Sequence, residues 1–575
     1  MKKISLLSII ISLVTLLAIV GCQPEEEDND TSPTDENGTE VSEETSDVVI
    51  IGGGGAGMAA AVSAAEEGAE VVLIEKMPAI GGNTIISAGA YNAADPERQA
   101  EQGIEDSVDF HFEQTYEGGD EQGDEELVRT LVENSLDTKH WLEELGLEFE
   151  DEIDSVIGAM HERTHYPVAP SGTGYISVLE DTANELGVDI ELETKAKQLI
   201  VEDDEVTGVI AEKDEDEIHY MAEDGVILAT GGFSKNIEMR TEYDPELEED
   251  IPSSNQPSAT GEGILMAEEI GAELTNMDQI QILPIANEHG GLEGSTTINI
   301  ENVVFVNQQG RRFVHEDARR DVLADAVFEQ EGGYYYLIND SQIIEEENEY
   351  GESIDELIDA GSVKKGETLE ELAREIDVPE EEFVETIENF NEAVEAREDE
   401  EFEREVFSNK IEEGPFYASI RYPSVHHTMG GVSINTDTQI ISQEGDPIPG
   451  LYAAGEVTGN IHGTNRLGGN AIPDTMVFGR IAGQTVAGME EGDEVLTGVG
   501  QGYGGNIEVE VHITDDEITQ VEVIEHNETD RVSDPALEKI PYEIVKQNST
   551  EDVDTVSGAT DTSAGILEAV EDALE

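Results

Sequence analysis

The sequence predicts an α/β fold with a Rossmann-like dinucleotide-binding core, followed by a small α+β module. Three observations predict it. The run Asp47-Val-Val-Ile-Ile51 leads directly into Gly52-Gly-Gly-Gly-Ala-Gly57 and then an alanine-rich stretch. A second apolar run, Glu70-Val-Val-Leu-Ile74, follows and ends on Glu75. Near the C-terminal end, Ile507–Ile513 and Ile518–Val523 alternate apolar and polar residues, the mark of half-buried strands. At 575 residues the chain has room for two or three domains, at about 150 residues each.

Composition bounds the function. The chain carries 28 basic and 134 acidic residues, a formal net charge of −106. That excludes nucleic acid as a partner and attraction to anionic lipid, since both need basic surface. Disorder throughout is excluded too, because 37% of residues are apolar and form runs such as Val48–Ile51. The single cysteine excludes internal disulfides, Cys-ligated iron–sulfur clusters and CxxCH haem attachment. Like charge of this density repels itself at low salt, and a Debye length of roughly 3 Å at 1 M screens it. We therefore read the acidity as a solvated surface suited to a salty medium. A cation- or polycation-binding surface is the other reading, but no EF-hand spacing supports it.

The elements follow in order. Met1-Lys2-Lys3, an apolar run to Val20 and then Gly21-Cys22 describe a secretory signal over residues 1–22. Ile19-Val20-Gly21-Cys22 resembles the lipobox of bacterial lipoproteins, in which the cysteine is acylated. By that resemblance Cys22 is the lipid attachment site, and the protein is exported and anchored to the outer face of the cytoplasmic membrane. A retained membrane anchor is the alternative. Residues 23–46 are acidic and nearly free of aliphatic side chains, so they predict a disordered tether.

In the next segment Gly52, Gly54 and Gly57 fit G-x-G-x-x-G between a strand and a helix. The glycines permit a tight turn, close approach to a pyrophosphate and close helix packing. The helix N-terminus offers N–H groups to phosphate. Glu75 ends the second strand at about the spacing of a ribose-binding carboxylate.

Beyond Glu75 come Lys76-Met-Pro-Ala-Ile-Gly-Gly-Asn83-Thr84 and Ser87-Ala88-Gly89. Further on stand Ala229-Thr-Gly-Gly-Phe233, Thr260-Gly-Glu-Gly263, Val425-His-His-Thr-Met-Gly-Gly431, Ile448-Pro-Gly-Leu-Tyr-Ala-Ala-Gly-Glu456 and His462-Gly-Thr-Asn-Arg466-Leu-Gly-Gly-Asn470-Ala471-Ile472. With these motifs the chain resembles the flavoprotein subunits of the fumarate reductase and succinate dehydrogenase superfamily. It is most similar to the soluble flavocytochrome c type, which includes urocanate reductase. The resemblance implies a two-part FAD-binding domain, residues 47–277 and 428–490, with an inserted α+β cap over 278–427. It implies non-covalent FAD held by Gly52, Gly54, Ala56, Gly57, Glu75, Asn83, Ala88, Gly89, His427, Glu456, Ala471 and Ile472.

The family reaction reduces an activated C=C bond beside a carboxylate, with hydride from FAD N5 and a proton from an arginine. By the match of Val304–Phe313 and Ala318-Arg319-Arg320-Asp321, Arg320 is that proton donor. A guanidinium normally stays protonated, so it needs a relay to recover its proton. A surface or carboxylate-pairing arginine is the plain alternative. Arg466 and His426 match the residues that hold one substrate carboxylate, with Gly469 as a backbone contact. His426-His427 as a metal pair lacks supporting ligands, so no metal is expected.

The distal end departs from the fumarate pattern. The family's His-Pro-Thr stands here as Leu283-Pro284-Ile285. Its Thr-Glu-Ala-Val-Arg aligns with Ser295-Thr296-Thr297-Ile298-Asn299. Leu283, Ser295 and Thr296 then line the distal end, where an unpaired second carboxylate would be costly. The relay Glu and Arg become Thr296 and Asn299, so reprotonation of Arg320 needs water or another carboxylate such as Glu301. The expected substrate is a urocanate- or acrylate-type enoate in preference to fumarate.

Residues 491–502 predict a linker, and 503–575 a separate α+β domain with a hairpin and a helix at Ala564–Leu574. Asp554-Thr-Val-Ser557-Gly558-Ala559-Thr560 resembles the D-x-x-[ST]-G-A-T motif of FMN-binding modules in sodium-pumping quinone reductases and extracytoplasmic reductases. That resemblance implies FMN joined to Thr560 through a phosphoester by a flavin transferase. Electrons would pass from an external or membrane donor to FMN, then FAD, then substrate. The alternatives are a fumarate reductase proper, an L-aspartate oxidase-like enzyme and an electron-transfer flavoprotein without turnover.

Overall fold

The computed structural model describes residues 42–574 apart from 203, 249–250, 298–302, 349, 405–406, 408, 489–493, 515–516, 527–528, 530–532, 551–552, 554 and 557. Cys22, Asn299 and Glu301 lie outside the described residues. Among the described residues no helix is long and apolar enough to cross a membrane.

An eight-stranded sheet forms the nucleotide-binding core. The Ser42–Ile51 strand pairs in parallel with Val71–Glu75, Val48 opposite Val71 and Ile51 opposite Ile74. Both faces of this pair are covered, so the β-branched runs are buried throughout their apolar length. Gly55–Glu66 forms the connecting helix. It crosses the Ala471–Ala487 helix so closely that a Cβ on Gly479 would stand 2.6 Å from Ala56 O, and one on Gly483 2.3 Å from Ala60 O. Alanines and glycines at this crossing are therefore demanded by backbone contact. The Pro447–Ala453 strand adds in parallel to the end of Asp216–Leu228, Leu451 opposite Val226.

The inserted domain is α+β. Its five-stranded sheet contains Ile280–Ala286, Val304–Val306, Tyr335–Asp340, Val363–Gly366 and Phe416–Thr428. The Phe416–Thr428 strand pairs with three others, including Ile280–Ala286, where Gln281 lies opposite His427. Helices Arg320–Phe328, Leu369–Glu375 and Glu380–Ala396 belong to this domain. Its core joins Val304, Ile338, Leu372, Phe383 and Phe390.

The C-terminal module is a three-stranded antiparallel sheet with two helices, Asp534–Gln547 and Thr560–Leu574. The expected hairpin is present as Asn506–Thr514 and Glu517–His526. Ile507, Val509 and Val511 face one core with Ile540, Ile566 and Val570.

Three boundaries differ from the sequence expectation. The strand begins at Ser42, inside the expected tether of residues 23–46, because an exposed polar stretch extends a strand already held by its buried half. The expected linker at 491–502 contains the strand Glu494–Gln501, paired along its whole length from Glu494–Ile513 to Gln501–Asn506. Its glycines mark close packing: a Cβ on Gly498 would meet Ala569 O at 2.1 Å, and one on Gly500 would meet Gly565 O at 1.9 Å. The final helix starts at Thr560, one turn before Ala564.

Candidate active site

Two adjoining cavities form the candidate site, the first within the nucleotide-binding core and the second between that core and the inserted domain. Asn83, Thr84, Glu456 and Thr475 line both.

The first cavity is lined by Gly52, Gly54, Ala56, Glu75, Asn83 and Glu456. Its glycines divide the work. A Cβ on Gly52 would stand 2.4 Å from Ala229 O, and Gly52 has φ +111°. A Cβ on Gly57 would stand 1.9 Å from Gly52 O, so Gly57 serves helix packing and does not line the cavity. Of the three motif glycines only Gly54 faces open space, directly before the helix N-terminus. This is the cradle a pyrophosphate requires. Glu75 is buried, accepting from Gly53 N at 2.8 Å and Met77 N at 2.7 Å. The Thr230 hydroxyl, also lining the cavity, is buried without a protein partner. Open glycine, helix N-terminus and orphaned hydroxyl fit a dinucleotide such as FAD.

The second cavity gathers Asn83, Ala88, Gly89, Leu283, Arg320, His426, His427, Glu456, Arg466, Gly469, Ala471 and Ile472. Arg320 is the first residue of the Arg320–Phe328 helix and is 5% exposed. Its Nε and Nη2 donate to Ile157 O at 3.1 and 2.9 Å, and Nη1 donates to Gln281 Oε1 at 3.0 Å. Burial, and then the neighbouring Arg466 charge, hold its pKa well below the ordinary guanidinium value. The positive end of its helix acts in the same direction. An arginine in this setting gives up a proton far more readily than one in water.

Arg466 is also buried, and burial brings its pKa down to about 10 against the attraction of Glu456 and Asp474. Its Nη1 donates to Leu467 O at 3.0 Å, and its Nε is buried without a partner. Gly469 has φ +83°, and a Cβ there would strike Asn92 Oδ1 at 2.2 Å. His426 Nδ1 lies 2.7 Å from Ser254 Oγ. Burial, then Arg466 and Arg320, push the His426 pKa well down, so the ring is neutral.

His427 is neutral for the same reason, burial first and Arg466 next. Its Nδ1 is 3.9 Å from Glu456 Oε1. Burial raises the Glu456 pKa to about 7, although Thr428 N donates to it at 3.0 Å and Asn83 Nδ2 at 3.2 Å. Apolar residues also line this cavity: Leu283, Ile285, Leu292, Val156 and Ile157, with Tyr350.

Ser295 and Thr296 are not brought to this cavity. Both are buried in the inserted domain. Ser295 Oγ donates to Thr297 O at 2.9 Å, and Thr296 Oγ1 accepts from Asn339 Nδ2 at 2.5 Å. Sequence reasoning missed Gln281, Ser254 and Ile285. Gln281 and Ile285 flank Leu283 at period two on one strand, a signal present in the sequence. Ser254 had none.

Thr560 is exposed at the N-terminus of its helix, after Gly558 at φ +101°. An exposed hydroxyl at a helix N-terminus suits a phosphate. Among the described residues no cluster of His, Cys, Asp and Glu is arranged to hold a metal.

Comparison with known proteins agrees with this geometry. Residues 47–472 match the FAD binding domain family, and residues 502–575 match the FMN-binding domain family. The chain is 38% identical over 484 residues to an NADH:acrylate oxidoreductase of Vibrio harveyi, covering 73% of this chain and 48% of that protein. It therefore spans about half the length of that relative. It is 38% identical over 431 residues to a urocanate reductase of Eggerthella lenta, covering 73% of this chain and 71% of the other. The open conformation of a flavocytochrome c3 fumarate reductase superposes with a TM-score of 0.63 at 38% identity, covering 77% of this chain and 78% of that one.

Proposed function

The chain belongs to the FAD binding domain family of flavin-dependent oxidoreductases, and on that footing we propose that it reduces the C=C bond of a small α,β-unsaturated monocarboxylate. The observation that carries this reading is the polarity of the second cavity. Arg320, Arg466 and His426 line it as the polar donors, and Leu283, Ile285 and Leu292 are apolar residues of the same lining. One carboxylate is gripped, while a second would face hydrocarbon. An uncharged or weakly basic β-substituent, as in an acrylate or urocanate, suits that wall better than the second carboxylate of fumarate.

FAD, when bound, supplies the hydride. The protein's part is separate. Arg466 and the neutral His426 hold the carboxylate and keep the alkene in one orientation. Arg320 donates its proton to the adjacent carbon. Gln281 and the Ile157 carbonyl keep the guanidinium aimed through three hydrogen bonds. Because Thr296 and Asn299 stand where the resemblance places the relay Glu and Arg, reprotonation of Arg320 takes another path in this reading. The apolar walls exclude water, which strengthens each of these interactions.

The remaining parts of the reading follow from the sequence. FMN esterified at Thr560 by a flavin transferase receives electrons from an external or membrane donor and passes them to FAD. The Lys2-Lys3, apolar and Cys22 pattern supports export and lipid anchoring. The charge of −106 supports work in a salty medium.

The test is oxidation of a reduced viologen by a panel of enoates at high salt. Turnover with acrylate, urocanate or another monocarboxylic enoate above fumarate supports the proposal. Fumarate outrunning all of them makes the protein a fumarate reductase. No turnover with both flavins bound makes it an electron carrier.

A further inference from the structure

His426 lines the second cavity, and one of its ring nitrogens is held from behind. Ser254 Oγ lies 2.7 Å from Nδ1. Other acceptors within reach of that hydroxyl are farther, Asn255 Oδ1 at 3.3 Å and Val425 O at 3.4 Å. The serine is fixed by its own backbone. Ser254 N donates to Val425 O at 2.9 Å, and Val425 N donates to Pro252 O at 2.8 Å. Ser253 bridges Val425 in parallel, and Lys235 Nζ holds Ser253 O at 2.8 Å. Ser254 and His426 both line the second cavity. Among the described residues Nε2 has no hydrogen-bond partner, and the ring is only partly buried, so this edge is left to the cavity.

A neutral imidazole has one donor and one acceptor nitrogen, and the partner of one decides the other. We propose that Ser254 is a positioning residue for carboxylate recognition: its hydroxyl donates to His426 Nδ1 and holds the imidazole as the Nε2–H tautomer. Only that neutral form presents a donor to the cavity. The opposite tautomer would present a lone pair to the substrate carboxylate and repel it. The choice matters because the ring, flanked by Arg466 and Arg320, stays uncharged. This inference rests on the reading that His426 and Arg466 grip a carboxylate.

The test uses the full flavin-loaded protein and a saturated short-chain carboxylate that cannot be reduced, propionate. Its binding is read from the perturbation of flavin absorbance, without turnover. A hydrogen bond to a charged group contributes enough that Ser254→Ala is expected to weaken propionate roughly ten-fold. Ser254→Thr keeps the hydroxyl and is expected to restore most of that loss. With an enoate substrate, Ser254→Ala is expected to raise KM more than it lowers kcat. The 15N imidazole signals of the wild-type protein, assigned with His426→Gln, are expected to show Nε2 protonated. They show it without any serine variant having to fold. No binding of propionate to the wild-type protein would sink the carboxylate grip itself. Equal binding by wild type and Ser254→Ala, or a protonated Nδ1 in the wild-type spectrum, would overturn the role of Ser254 alone.

Discussion

Arg320 Nη1 donates to Gln281 Oε1 at 3.0 Å, and among the described residues no carboxylate lies within ion-pairing distance of that guanidinium. Gln281 Nε2 in turn donates to Asn465 Oδ1 at 2.9 Å and to Arg466 O at 2.8 Å. One amide therefore sets the relative position of Arg320 and Arg466, the proposed proton donor and carboxylate clamp. Gln281→Leu removes a hydrogen bond to a charged group and unpairs the loop behind Arg466. We expect kcat to fall about 10- to 100-fold while flavin content stays constant, measured by steady-state turnover and absorbance. A variant as fast as the wild type would show that Ile157 O suffices to aim Arg320.

Leu283 is 2% exposed and is one of the apolar residues lining the second cavity. Leu283→His returns a polar donor there. It is expected to raise kcat/KM for fumarate and lower it for a β-alkyl enoate by about ten-fold, the scale of burying a side chain against an unmatched polar group. Unchanged preference between the two substrates would place the discrimination elsewhere.

Glu456 lines both cavities and has a pKa raised by desolvation to about 7. The sign follows from proton linkage. The unfolded carboxyl ionises near its ordinary value, whereas the folded one must be ionised against burial. Its stabilising contribution is therefore present below about pH 4.5 and is lost as pH rises toward about 7. In flavin-free protein, Glu456→Gln is expected to remove that loss, so its melting temperature gains on the wild type across pH 5–7. The lowered pKa of His426 and His427 acts the opposite way in both proteins and cancels from the difference. A gain that appears only on acidification would contradict the assignment.

Thr560 offers an exposed hydroxyl at a helix start. Protein co-expressed with a flavin transferase is expected to carry the mass of one esterified FMN, and Thr560→Ala is expected to lose it while keeping FAD. Retention of the mass in Thr560→Ala would move the attachment elsewhere.

The parts of the site that rest on contiguous motifs were legible. Gly52, Gly54 and Glu75 reach one cavity, and Arg320, His426 and Arg466 reach its neighbour. What escaped was created by pairing between distant segments. Ser254 meets His426 only because Ser253 bridges Val425 across the sheet edge. The strand at Ser42–Ser46 escaped because its exposed half has a tether's composition. The strand at Glu494–Gln501 escaped because its glycines, chosen to admit a helix backbone, look like those of a flexible joint. Ser295 and Thr296 were placed by a gapless alignment, which carries no information about which way a loop turns.

The Phe416–Thr428 strand is a single continuous beam. Tyr417 through Arg421 are stitched into the middle of the inserted domain, while His427 and Thr428 pair at the far end with Gln281 and Ile280. On the proposed reading, a tilt of the inserted domain that opened the cavity would turn this lever and carry His426 away from its proposed carboxylate partner. Product release and loss of grip would then be geared together, with no separate unlatching step between them.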